Sequence, residues 1–287
     1  MSFPKLSLVL CLSASAALGA CNNTTPPSTQ PSAETRTTAS ASPEPSASAT
    51  ADAPMPAAGP KVTDTLETSA GKVTFTPIYH GTLAIGFQGK TIVVDPYSSA
   101  PKGWLPKADL VLITDIHPDH YDPKAIEEVK QDGTIFVAPK VVTDKLEGAK
   151  TLANGEETKA LGIGIRAVPM YNLKRGPAEG KLYHDKGRGN GYILSFGDKR
   201  VYLSGDTACT DEMKALKDID LAFVCMNLPY TMPPEEAAEC IKVFKPKIII
   251  PYHYRGSDLS KLETALKDTE GVKLEKRDFY PGGEEKK

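Results

Sequence analysis

The chain is short of charge of one sign: 34 Lys and Arg against 36 Asp and Glu leave a formal net charge of −2 over 287 residues. With the five charged residues of 1–60 set aside (Lys5, Glu34, Arg36, Glu44 and Asp52), residues 61–287 carry −1. A near-neutral domain has no global field to gather a polyanion, so a DNA- or RNA-coating role is excluded and no nucleic-acid partner is expected. Cysteine is also scarce. Five occur, and the three in 61–287 (Cys209, Cys225, Cys240) are an odd number that fits no full disulfide framework. Cys225 lies in the apolar run 221–226 and reads as core, while a Cys209–Cys240 bridge stays open. Residues 22–60 have no Leu, Ile, Val, Phe, Tyr or Trp but 8 of the 24 prolines. Such a segment has too little apolar surface to offset chain entropy, which predicts a disordered tether.

What is present at the N-terminus reads as an export signal. Lys5 supplies a positive start, residues 6–12 and the alanines behind them an apolar stretch too short to span a bilayer, and small residues follow. Leu18-Gly19-Ala20-Cys21 resembles the bacterial lipobox, in which Cys21 becomes the lipid-modified first residue. The expected organisation is therefore a lipoprotein signal peptide (1–20), a Pro/Ser/Thr/Ala-rich tether (21–60) and one folded domain (61–287). The expected location is the bacterial cell envelope, outside the cytoplasm and held to a membrane by lipid on Cys21.

The folded part has enough residues for a sizeable core. Short β-rich runs separated by turn residues predict strands over 73–79, 82–87, 91–94, 109–114 and 134–137, and again over 163–168, 192–196, 201–204, 221–224 and 247–251. Helices are expected after Pro123, over 233–244 and over 259–266. Two strand-rich halves, each with helices, suggest two sheets face to face with helices outside, an α/β four-layer arrangement.

Histidine is rare, and its placement is informative. All five (His80, His117, His120, His184, His253) fall in the folded part, four of them where strands end. Asp115-Ile116-His117-Pro118-Asp119-His120 puts four ligand-type side chains in six residues directly after a buried-type strand. Histidine and carboxylate together suit Zn, and mixed nitrogen and oxygen sets also suit Mn or Fe. Gly205-Asp206-Thr207 and His253 also follow strands, and His184 precedes the glycine-rich stretch 187–191. Ligands at several strand ends are what a pocket on one rim of a β-structure requires.

These motifs in this order (Tyr79-His80-Gly81, Val94-Asp95-Pro96, DIHPDH, HDKGRGNGY, YLSGDT, the stretch 229–237 and PYHY) resemble the metallo-β-lactamase fold superfamily. The similarity is to its branch of UlaG-like lactonases and phospholipase-D-like hydrolases of N-acylethanolamine lipids. The resemblance implies an αββα fold and two divalent metal ions, Zn first, with Mn or Fe as alternatives. Asp115, His117 and His184 would hold one ion, and Asp119, His120 and His253 the other. Asp206 would bridge them. It further implies a hydrolase in which a metal-bound hydroxide, oriented by Asp119, attacks a small-molecule ester, lactone, amide or phosphodiester. His80 and Asp95 would stand behind the ligands, with Arg188, Tyr230 and Tyr254 toward the substrate and Met232 beside Tyr230 in an apolar wall.

Asp115 departs from the superfamily pattern, which begins with histidine. Two divalent ions, three aspartates and one hydroxide give a formally neutral site, whereas histidine first would leave it at +1. A less positive site favours harder metals. Residues 172–190 carry Lys174, Arg175, Lys181, Lys186 and Arg188 against Glu179 and Asp185. This local +3 suggests a cationic rim for an anionic substrate. Two other readings compete, an iron-dependent oxidoreductase on the same fold and a non-catalytic metal- or ligand-binding lipoprotein.

Overall fold

The computed structural model describes residues 59–281. The signal segment, Cys21 and the tether up to residue 58 lie outside the described residues. Strands β1 (Asp64–Thr68), β2 (Gly71–Tyr79), β3 (Thr82–Phe87) and β4 (Lys90–Val94) form an antiparallel meander. The same sheet continues in parallel through β5 (Leu110–Leu112), β6 (Ile135–Ala138) and β7 (Lys150–Thr151), in the order β1 to β7. Its crossovers carry α1 (Pro123–Val129) and α2 (Lys140–Thr143).

The second half has the same plan. β8 (Glu157–Ala160), β9 (Ile163–Met170), β10 (Gly189–Phe196) and β11 (Lys199–Leu203) run antiparallel. β12 (Leu221–Cys225), β13 (Ile248–Tyr252) and β14 (Lys273–Leu274) then add in parallel. Between them come α3 (Asp211–Lys214), α4 (Pro234–Phe244) and α5 (Leu259–Leu266).

Side-chain alternation along the strands makes the layers. Along β5, Leu110 and Leu112 face the core between the sheets, while Val111 and, just past the strand, Ile113 turn outward onto Ile126 and Val129 of α1. Across the inter-sheet space Phe75 meets Phe223 at 5.6 Å and Phe87 meets Phe196 at 5.0 Å. Tyr202 of β11 packs edge-on against Phe244 of α4 at 6.0 Å, closing the other outer face. The result is the expected four-layer αββα fold. Phe75 is fully buried, so truncating it to Ala would cost about 3–5 kcal/mol.

Local chemistry sets the helix starts. Asp122 caps α1 by accepting from the Lys124 and Ala125 amides at 2.9 and 3.3 Å, with Pro123 at the first helical position. That start comes directly after the Asp115–His120 turn. Cys209 and Cys240 form a disulfide with a Cα–Cα distance of 5.5 Å, tying the loop after β11 to α4. Cys225 is buried, and burial pushes its thiol up to about 12.

Strands β1, β7, β8 and β14 were not anticipated. They lie at sheet edges, where half-exposed strands such as DTLET and ETKA carry no apolar alternation. No helix among the described residues is long and apolar enough to cross a membrane.

Candidate metal centre

The ligand-type residues collect on one rim because the strands end there. Asp115, His117, Asp119 and His120 follow β5, Asp206 follows β11, His253 follows β13 and His80 follows β2. His184 lies in the β9–β10 connection. Backbone bonds pin the rims of the two sheets together: His253 N donates to His80 O at 3.0 Å, and Asn190 N to Thr114 O at 2.9 Å. Gly205, at φ +58, and Gly191, whose Cβ would stand 2.9 Å from the Leu203 and Ser204 carbonyl oxygens, allow the close approach that brings Asp206 in.

Each buried imidazole is oriented by a bond on its far side. Asp95, fully buried, accepts from Thr114 N at 2.7 Å and from Thr114 Oγ1 at 2.6 Å. His120 Nδ1 lies 2.8 Å from Asp95 Oδ2 and donates to it, so His120 Nε2 points into the site. His184 Nδ1 lies 2.8 Å from Asn172 Oδ1, which also accepts from the His184 backbone amide at 2.9 Å, and its Nε2 is likewise free to face inward. His80 bridges Tyr280 Oη (Nδ1, 2.6 Å) and Asp119 Oδ2 (Nε2, 3.1 Å). Burial, reinforced by His253, takes the His80 pKa down to about 3. The neutral ring therefore donates to Asp119 and accepts from Tyr280.

Of the seven buried side-chain polar atoms that have no hydrogen-bond partner among the described residues, four belong to this cluster: His120 Nε2, His184 Nε2, His253 Nδ1 and Asp206 Oδ1. They converge. His120 Nε2 is 3.3 Å and His184 Nε2 3.5 Å from Asp206 Oδ2, and His253 Nδ1 is 3.3 Å from Asp206 Oδ1. Unpaired buried polar atoms are costly unless something binds them, and a converging histidine and carboxylate set fits a divalent cation. Three groups have donor atoms close enough to share an ion: His120/Asp206/His253, His80/Asp119/His253 and Asp115/His117/His184.

The electrostatics agree. Burial opposes ionisation of Asp119 and Asp206, but facing imidazoles hold both far below the usual carboxylate range. Burial alone would lower His120, yet Asp206, Asp119 and Asp95 hold it well above its ordinary value. These carboxylates favour positive charge at the site. Burial takes His184 down to about 4 against the pull of Asp206 and Asp115, so its ring is neutral.

Several expected roles fall differently. Arg188 does not stand free at a substrate rim. Its Nε and Nη2 donate to the two oxygens of buried Asp115 at 3.0 and 2.7 Å. The charge count that made the site neutral left this guanidinium out. Two more cations of the segment are also answered by partners distant in sequence: Arg175 pairs with Glu236 at 2.7 Å and Lys186 with Glu212. Tyr254 turns away, its hydroxyl donating to Arg277 O at 2.9 Å and its ring packing on Tyr280 at 5.0 Å. Met232 is fully buried in the core rather than in a cavity wall.

A cavity of about 350 Å³ opens over the converging histidines and carboxylates, lined by His80, His117, Asp119, Asp206 and His253. Tyr230 is in its wall as expected, against Tyr183 at 5.1 Å. Sequence reasoning missed Tyr97, Tyr183, Asn227 and Arg255 in that wall, and Asn172 and Tyr280 behind the histidines. Proximity could have supplied three of them, Tyr97 two residues after Asp95, Tyr183 directly before His184 and Arg255 two residues after His253.

Comparison with known proteins places the chain. A family described as "Beta-lactamase superfamily domain" matches residues 74–253. A UPF0173 metal-dependent hydrolase of Enterococcus faecalis is 33% identical over 184 residues, covering 58% of this chain and 79% of that protein. One from Thermococcus onnurineus is 31% identical over 179 residues, covering 58% and 77%. A solved structure from Parabacteroides distasonis, named for the metal-dependent hydrolases, is 42% identical with a TM-score of 0.71, covering 76% of this chain and 98% of that one.

Proposed function

The chain belongs to the β-lactamase superfamily and is a metal-dependent hydrolase, and from that premise we propose that it cleaves a small-molecule ester, lactone, amide or phosphodiester outside the cytoplasm. The reading places it in the UlaG-like and N-acylethanolamine-phospholipase-like branch, tethered by lipid on Cys21. The observation that carries it is the convergence of His120 Nε2, His253 Nδ1 and Asp206 Oδ1, buried and unpaired, under a 350 Å³ cavity. A divalent metal held there, Zn first and Mn or Fe as alternatives, would acidify water and polarise the scissile group.

The protein's own groups do the rest. Asp119 is ionised and about a third exposed, and His80 fixes its orientation, so it can orient an attacking water by accepting a hydrogen bond from it. Tyr230, Tyr183 and Tyr97 give the cavity an aromatic wall for the apolar part of a substrate. Arg255, whose buried Nε has no partner among the described residues, offers a donor to a carboxylate, phosphate or carbonyl oxygen on the same substrate.

The two-ion expectation has uneven support, because the His120/Asp206/His253 set is open while Arg188 closes on Asp115. Purified full-length chain, assayed against ester, lactone, amide and phosphodiester probes before chelation, after it and after metal return, tests the function. Turnover of one class that disappears with chelator and returns with metal is expected. Absence of metal-dependent turnover in every class would refute it.

A further inference from the structure

We propose that Arg188 takes the place of the first metal ion, so that the domain holds one metal and a fixed guanidinium where the superfamily pattern implies two metals. This rests on the hydrolase reading only in requiring that one ion be bound.

Asp115 is fully buried, and Arg188 grips it fork on fork, Nε to Oδ1 at 3.0 Å and Nη2 to Oδ2 at 2.7 Å. That geometry is among the strongest side-chain pairings, and arginine does not give up its proton in a protein. Arg188 Nη2 also lies 3.3 Å from each ring nitrogen of His117. The guanidinium thus engages two of the three residues, Asp115 and His117, that would meet with His184 around an ion. A second cation there would have to displace Arg188 or sit against it in a water-poor pocket, with like charges repelling. Of the first triad only His184 Nε2 remains open, and one donor atom does not hold a metal.

The other set shows the contrast. His120, Asp206 and His253 each present an unpaired buried atom, and no guanidinium or ammonium bonds to any of the three among the described residues. Asp115 and Arg188 therefore belong together. An aspartate in place of the usual leading histidine supplies the counter-charge that holds an arginine, and the arginine supplies the positive charge that an ion would have brought.

Metal content decides this. The full-length chain is saturated with Zn²⁺ or Mn²⁺, freed of excess and measured by elemental mass spectrometry. One ion per chain is expected in the wild type. His117→Ala should keep that ion and His253→Ala should lose it. Arg188→Ala frees Asp115 and should raise the content to two. Should that variant fail to fold around an unpaired carboxylate, Asp115→His combined with Arg188→Ala removes the buried charge and rebuilds an imidazole set, again with two ions expected. Two ions in the wild type, or loss of metal in His117→Ala, would overturn the proposal while leaving the hydrolase reading intact. No ion in the wild type would overturn both.

Discussion

The Cys209–Cys240 bond makes a quantitative claim. It closes a segment with a sequence separation of 31 between the loop that carries Asp206 and the middle of α4. On the chain-entropy model a loop of that length removes about 12 cal/mol/K from the unfolded ensemble, or about 3.7 kcal/mol at 25 °C. For a domain of this size each kcal/mol moves Tm by about 2–4 °C, so the bond contributes about 7–15 °C. Both cysteines are buried, which makes Cys209→Ala with Cys240→Ala the appropriate perturbation, since serine would bury an unpaired hydroxyl. The chain has a single tryptophan, Trp104, packed against the main core, and its fluorescence reports unfolding in urea. The double variant should lose about 3–4 kcal/mol. Wild-type protein unfolded in dithiothreitol should give the same midpoint as the double variant. Equal midpoints for wild type and variant without reductant would refute the bond.

Further outcomes are as definite. Cys21→Ser should move the protein from the membrane pellet to the soluble fraction on cell fractionation, and unchanged pelleting would remove the lipid anchor from the reading. Gly191→Ala would place a Cβ 2.9 Å from the Leu203 and Ser204 carbonyl oxygens. It should cost about 1–3 kcal/mol in urea melts, the usual range for overpacking, and weaken metal retention because the Asp206 loop must shift. Chelation should lower the wild-type Tm by about 5–11 °C if the metal was present at a hundred times its Kd, corresponding to about 2.7 kcal/mol. His253→Ala, lacking a complete site, should show almost no chelator effect by calorimetry.

How much of this was legible depended on whether the signal was local. DIHPDH concentrates four ligand-type side chains in six residues, and the buried strand before it fixes where they stand, so the centre could be read directly. The helix over 259–266 was also local, since its apolar spacing needs no partner, and α5 matches it residue for residue. The pairings that redefine the site are long-range. Arg188 and Asp115 are 73 residues apart, and His80 finds Tyr280 after 200. Residues 172–190 counted as +3 because the carboxylates that answer them, Asp115, Glu212 and Glu236, come from other elements. Formal charge along a segment describes a solvated chain, not a folded rim where Arg175, Lys186 and Arg188 have each met a counter-ion.

The backbone carries a further signal that side-chain motifs do not. His80, Asp95 and His253 all adopt positive φ, at 55°, 44° and 46°, each immediately after a strand. For residues other than glycine this conformation costs on the order of 1–3 kcal/mol and persists only where the surroundings enforce it. Glycine would fit all three turns more easily but has no side chain to offer. His253 presents Nδ1 to Asp206, Asp95 holds His120, and His80 holds Asp119. Three left-handed residues that all face one cluster are better explained by what they present to it than by the turns they make. Four other non-glycine residues with positive φ, Gln88, Leu161, Asp218 and Lys245, stand in turns that do not line the cavity, so what distinguishes these three is the side chain each presents to the cluster, His80 against Asp119 included.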